Sequence, residues 1–169
     1  RRMGMVEPGV YGLMDDLKYD YQGNRLVAVD DAAPPTLQEG DFEDRGWEWA
    51  PGDSLNEYRY DACGNVTGDV NRGIVRITYH HLNLPEEICF AGDNIIRHLY
   101  DATGRKLRKE VYEQSLLQPG WMDYCGAFVY RSDTLAWVLT GEGRLVPQGE
   151  GFTYEYFLKD HLGNTRVCV

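Results

Sequence analysis

The sequence predicts an all-β protein built from antiparallel hairpins, and three observations carry that prediction. A short Tyr-Asp-x-x-Gly motif recurs, the residues flanking it alternate between apolar and polar, and helical signals are poor. The copies are Tyr19-Asp20-Tyr21-Gln22-Gly23-Asn24, Tyr60-Asp61-Ala62-Cys63-Gly64-Asn65 and Tyr100-Asp101-Ala102-Thr103-Gly104-Arg105. A fourth, Lys159-Asp160-His161-Leu162-Gly163-Asn164, keeps Asp, Gly and Asn but has lost the Tyr. Tyr79-His80-His81-Leu82-Asn83 reads as a degenerate copy with Asn in place of Gly, a mild exchange because Asn tolerates positive φ. Thr140-Gly141-Glu142-Gly143 is weaker still.

The turn positions 23, 64, 83, 104, 143 and 163 are spaced by 41, 19, 21, 39 and 20 residues, which are one or two multiples of about 20. Gly126 nearly fills the second double gap. Within a unit, Arg25-Leu26-Val27-Ala28-Val29-Asp30 and Lys106-Leu107-Arg108-Lys109-Glu110-Val111-Tyr112 carry the period-two alternation of strands with one covered face. Asp-x-x-Gly-Asn is turn chemistry: the Asp carboxylate bonds nearby amides and Gly takes the left-handed conformation. Each unit is therefore strand, tight turn, strand, and consecutive hairpins pair into an antiparallel sheet. The stretch from about residue 30 to 56, with Pro34-Pro35, Gly40, Gly46 and Pro51-Gly52, reads as an irregular loop, its acidic run from Glu39 to Asp44 a solvated face. Glu110 to Leu117 fits a short helical turn or a strand end.

With 169 residues, 43% of them apolar and 26% charged, the chain is long enough for one domain with a hydrophobic core. A net charge of −10 disfavours nucleic acid and anionic lipid as partners. No stretch reaches the roughly 18 apolar residues of a membrane span. The sequence opens Arg1-Arg2-Met3-Gly4 with no signal-like apolar run, as expected of an interior segment. Cys63, Cys89, Cys125 and Cys168 form no CxxC pair; three disulfide pairings are open, and free thiols within the sheet are the expectation.

No set of residues converges on catalysis. Asp160-His161 has no Ser or Cys nucleophile beside it, and the repeat already accounts for Asp160. His80-His81 with Cys89 supplies too few ligands for zinc. Asp69-x-Asn71-x-Gly73 resembles the start of a calcium loop, but the twelfth position is His80 rather than Glu. Asn65-Val66-Thr67 fits a glycosylation sequon on a turn residue. Neither a cofactor nor a metal is expected. Tyr19, Tyr60 and Tyr100 recur in phase and are read as structural. Among the tryptophans (Trp47, Trp49, Trp121 and Trp137), Trp47 and Trp49 alternate within the irregular loop and are the candidates for stacking on a glycan.

The repeated Tyr-Asp-x-x-Gly-Asn unit resembles the YD repeat of Rhs and teneurin-type proteins. The block Tyr58-Arg59-Tyr60-Asp61-Ala62-Cys63-Gly64-Asn65, with Asp69-Val70-Asn71-Arg72-Gly73-Ile74 and Leu82-Asn83-Leu84-Pro85 after it, resembles bacterial members. Tyr154 to Arg166 resembles the stretch leading into the family's core region. The resemblance implies one array over 1–169, with the core region starting at about 154–169. It implies a sheet that curves and spirals into part of a shell, on a secreted or cell-surface protein. The implied partners are further repeats and the core region of the same polypeptide, together with an enclosed C-terminal toxin or other cargo. Relatives also suggest the alternative of a carbohydrate-binding or adhesion module. No Asp here is followed by Pro, so the family's Asp-Pro cleavage motif is missing. Thr165-Arg166-Val167-Cys168-Val169 reads as an unfinished strand, and more sheet is expected beyond it.

Overall fold

The computed structural model describes residues 1–34, 42–45, 56–114 and 120–169. Among them the protein is all-β, with no helix and hence none long and apolar enough to cross a membrane. The chain divides into two compact units, Arg1–Asp93 and Asn94–Val169.

In the first unit, β1 (Arg2–Glu7) pairs with β2 (Val10–Asp15), and β3 (Leu17–Gln22) pairs with β4 (Arg25–Asp31). A ladder then follows in chain order: β5 (Tyr58–Tyr60), β6 (Val66–Asp69), β7 (Ile74–Tyr79) and β8 (Pro85–Phe90), every pairing antiparallel. The second unit continues the pattern with β9 (Ile95–Tyr100), β10 (Lys106–Tyr112), β11 (Gly120–Cys125) and β12 (Phe128–Arg131). It ends with β13 (Thr134–Leu139), β14 (Gly143–Gln148), β15 (Gly151–Lys159) and β16 (Thr165–Cys168). Strand runs bounded by Gly, Asn and Asp reversals leave each strand no closer partner than its chain neighbour, so sequence order and spatial order coincide. Glu110 to Tyr112 belongs to β10 and is strand.

The expected hydrophobic core is largely missing. Among the described residues the buried apolar side chains are Met14, Val29 and Val129. Large apolar groups such as Tyr21, Leu99, Phe152, Leu158 and Val167 are instead exposed. Alternation puts apolar residues on a common face, but pairing between neighbouring hairpins does not by itself cover that face. The cysteines are free, and Cys63 lies exposed in a turn rather than in a strand.

Close backbone approach substitutes for packing at one point. Gly143 is buried opposite Tyr156, and a Cβ there would run into the Glu155 carbonyl oxygen, its carbon and the Tyr156 Cα. The Tyr156 ring lies 4.2 Å from that of Tyr154, centroid to centroid. Gly143 is therefore the first residue of a strand and not the left-handed turn residue expected at that position. Gly143→Ala should lower stability by about 1–3 kcal/mol, as overpacking does. Gly141→Ala, whose Cβ meets open space, should change it little. Thermal or urea melts of the two variants check this.

Candidate functional site

The feature that recurs is a five-residue turn. In 61–65 the Asp61 amide donates to the Asn65 carbonyl (2.9 Å) and the Gly64 amide to the Asp61 carbonyl (3.1 Å). The corresponding bonds measure 2.9 and 3.0 Å in 101–105 and again in 160–164. In 80–84 they measure 3.1 and 2.9 Å, with Asn83 accepting the left-handed conformation at φ 55°. The aspartate side chain completes the turn from inside. Asp101 Oδ1 accepts the amides of Thr103 (2.8 Å) and Arg105 (3.0 Å), and Asp160 Oδ1 accepts those of Leu162 and Asn164 (both 2.9 Å). Asp61 Oδ1 accepts the Asn65 amide and Oδ2 the Asn65 side chain, both at 2.8 Å. Where His80 stands in the aspartate's place, its Nδ1 accepts the Leu82 amide at 2.9 Å. An imidazole nitrogen thus takes over one of the carboxylate's bonds.

Each of these turns is followed by a bulge at one fixed offset. Tyr60 pairs with Val66 but Arg59 with Gly68; Tyr79 pairs with Pro85 but Thr78 with Glu87. Tyr100 and Leu99 pair with Lys106 and Arg108, and Lys159 and Leu158 with Thr165 and Val167. The unpaired residue is always the sixth after the turn's first: Thr67, Glu86, Leu107 and Arg166. Tyrosines at the motif's first position tie one hairpin to the one before. The Tyr60 hydroxyl donates to the Leu26 carbonyl at 2.8 Å and the Tyr79 hydroxyl to the Val66 carbonyl at 2.7 Å.

The first copy departs from the pattern. Around Tyr19, Asp20, Gly23 and Asn24 the strand runs on to Gln22, which pairs with Arg25, so the reversal is a two-residue turn with Gly23 at φ 66°. Asp20 faces Ala28 within the ladder, and its carboxylate takes the Lys18 ammonium at 3.1 Å. A lysine two residues away on the same strand face competes for the carboxylate, and Tyr21, a strong strand former, follows it.

A second polar constellation lies in the first unit. Glu57 is 7% exposed, and its Oε2 accepts the Val29 amide (2.8 Å) and the Asn71 side chain (2.7 Å). Its backbone bonds both ways, the amide to Val27 (2.8 Å) and the carbonyl from Val70 (3.0 Å), so one residue joins β4 to the β6–β7 turn. Asn71 Oδ1 and Asp15 Oδ1 also hold the described part of the irregular segment through the amides of Arg45 (2.8 Å) and Phe42 (3.0 Å). Burial pushes the Glu57 carboxyl upward, with Asp44 and Asp30 adding to it against the two hydrogen bonds. The turn aspartates move the other way. Hydrogen bonds from Asn65 and Thr103 hold Asp61 and Asp101 below the usual carboxylate range. At Asp160, burial acts upward but is outweighed by Asn164, Leu162 and Arg166.

Asp160 is committed to its turn and to Arg166 (2.9 Å), while His161 is exposed. His80 and His81 lie 5.2 Å apart, ring to ring, and among the described residues no three of His, Cys, Asp and Glu group as metal ligands. Asp69 accepts the Arg72 amide (3.1 Å) and Gly73 sits at φ 64°, so the calcium-like stretch is a hairpin turn. The Asn65 side chain donates to Asp61 and also to Asn83 Oδ1 (3.2 Å), so a glycan on its nitrogen would disrupt the turn. Trp47 and Trp49 lie outside the described residues. No model of a known protein family matches the chain, and no curated protein matches it.

Acid should act on the two kinds of carboxylate in opposite senses. The turn aspartates contribute stability above their ordinary value of 3.8 that is lost as pH falls through their lower folded values. Glu57 contributes below its ordinary value of 4.5 and loses that contribution as pH rises through its higher folded value. Glu57→Gln should therefore raise the melting temperature at pH 7 and give no gain near pH 3, whereas Asp101→Ala should lower it at pH 7. Melts across pH check both, and a Glu57→Gln variant that is less stable only at pH 7 contradicts the assignment.

Proposed function

We propose that the chain is a non-catalytic structural segment of a YD-repeat, Rhs-type protein, secreted or carried on the cell surface. On this reading it is a stretch of sheet wall in a shell that encloses a C-terminal toxin or other cargo. The observation that carries it is the repetition of one turn, at 61–65, 80–84, 101–105 and 160–164, each with its bulge at the same offset. A device repeated in register makes wall, whereas a catalytic site needs unlike groups brought together once. Bulges sharpen the right-handed twist and bend the bulged strand, so one after each of these four turns favours a curved sheet. The apolar groups left exposed on the strands are the kind of surface that further sheet or an enclosed chain covers.

The test uses the full-length natural polypeptide. Its C-terminal cargo should resist a protease that cleaves the same region once denatured, and replacing Asp61, Asp101 and Asp160 together by Ala should remove the protection. A cargo region digested equally fast in native and denatured protein would end this reading.

A further inference from the structure

The acids of β9–β12 all lie on one face of the sheet, whereas cations stand on both. These four strands carry two acids, Glu110 and Asp123. Both share a face with Arg108: Asp123 stands opposite it and makes two bonds to its guanidinium (2.5 and 2.9 Å), while Glu110 approaches to 4.0 Å. The other face carries Lys109, opposite Met122, and Arg131, opposite Met122 on the next strand. Lys106 joins them: its ammonium lies 5.8 Å from the Tyr100 ring centroid, on the face where Tyr100 also meets His98 edge to face at 6.0 Å. None of Lys106, Lys109 and Arg131 forms an ion pair among the described residues, although most other cations of this chain do.

In a chain of net charge −10 this is a local reversal of sign. Burial, and the neighbouring Lys109, depress the Lys106 pKa, so the two ammonium groups already feel one another across the face. Like charges gathered without a counter-charge cost free energy, and an anion from outside relieves that cost.

We propose that the β9–β12 face bearing Lys106, Lys109 and Arg131 docks an acidic polypeptide segment, its Asp and Glu carboxylates meeting the three cations. Lys109 and Arg131 are two strands apart, about 10 Å, so the ligand carries at least two anionic groups. The floor between them is apolar, provided by Met122 with Tyr100 to one side, which suits carboxylates on short aliphatic stems. A long phosphate or sulfate polymer would run on into the acidic remainder of the surface and be repelled there. An acidic peptide in extended form sets alternate side chains about 7 Å apart on one side, within the reach of flexible lysines. This inference stands apart from the wall reading, since a sheet with any role can present a basic face.

The experiment is fluorescence anisotropy of a labelled tetraglutamate peptide, short enough to stay on this face, with the full chain at about 0.1 M salt, where screening extends over about 10 Å. Binding is expected, weakened about tenfold or more by Lys106→Gln/Lys109→Gln/Arg131→Gln and retained by Lys106→Arg/Lys109→Arg. Lys18→Gln, on the first unit, should leave it unchanged. The arginine variant separates loss of charge from loss of fold. Absent binding, or binding indifferent to the triple variant, overturns the proposal. Tighter binding of duplex DNA or of a sulfated polysaccharide through the same three residues overturns the choice of a polypeptide ligand.

Discussion

A chain that reverses within five residues points several amides inward, where neither flanking strand can accept them. The side chain at the turn's first position takes up that demand, and much else follows from its doing so. With the amides of residues two and four further on held by one oxygen of Asp101 or Asp160, the turn closes at one length. That length determines where the next strand joins the ladder, and the extra residue is shed as a bulge at a constant place. His80 supports the point from a different direction. Its chemistry differs from a carboxylate, yet as an acceptor at the same position it sustains the same turn and the same bulge.

Between hairpins the structure relies on polar contacts more than on a packed interior. Tyrosine hydroxyls reach back to the preceding hairpin, and Glu57 ties together segments 28 and 14 residues away in the chain. Satisfied polar networks of this kind specify position well because a displaced group is left unpaired. They yield less net free energy than apolar burial does. The arrangement is thus better suited to setting register than to supplying large stability.

The hairpin architecture was legible in the sequence because Asp-x-x-Gly acts over four or five neighbouring residues, and period-two alternation is likewise local. The turns at 64, 104 and 163, and the degenerate one at 83, follow from that locality. The reversal at Gly23 is there too, but its two-residue form was not legible, since Lys18 draws Asp20 away and no motif records a competitor outside its own bounds. Glu57 was illegible for another reason: its partners Val29 and Asn71 lie 28 and 14 residues away. The thin core was misjudged because alternation shows which side chains share a face but says nothing of what, if anything, covers it. The sorting of Glu110 and Asp123 away from Lys109 was implicit in residue parity, yet it needed the bulge at Leu107 to place Lys106.

Every substantial strand contact among the described residues joins elements consecutive in the chain. Loop-closure entropy is therefore small at each hairpin, the long connection from β4 to β5 excepted, and contact order stays low for an all-β protein, a class that usually folds slowly. A polypeptide arranged in this way can zip up as it emerges, each new hairpin adding to the edge of the last without waiting for residues still to come. Its growing edge is also its vulnerable one: until the next hairpin arrives, the newest strand offers unsatisfied amides and carbonyls to any other chain within reach.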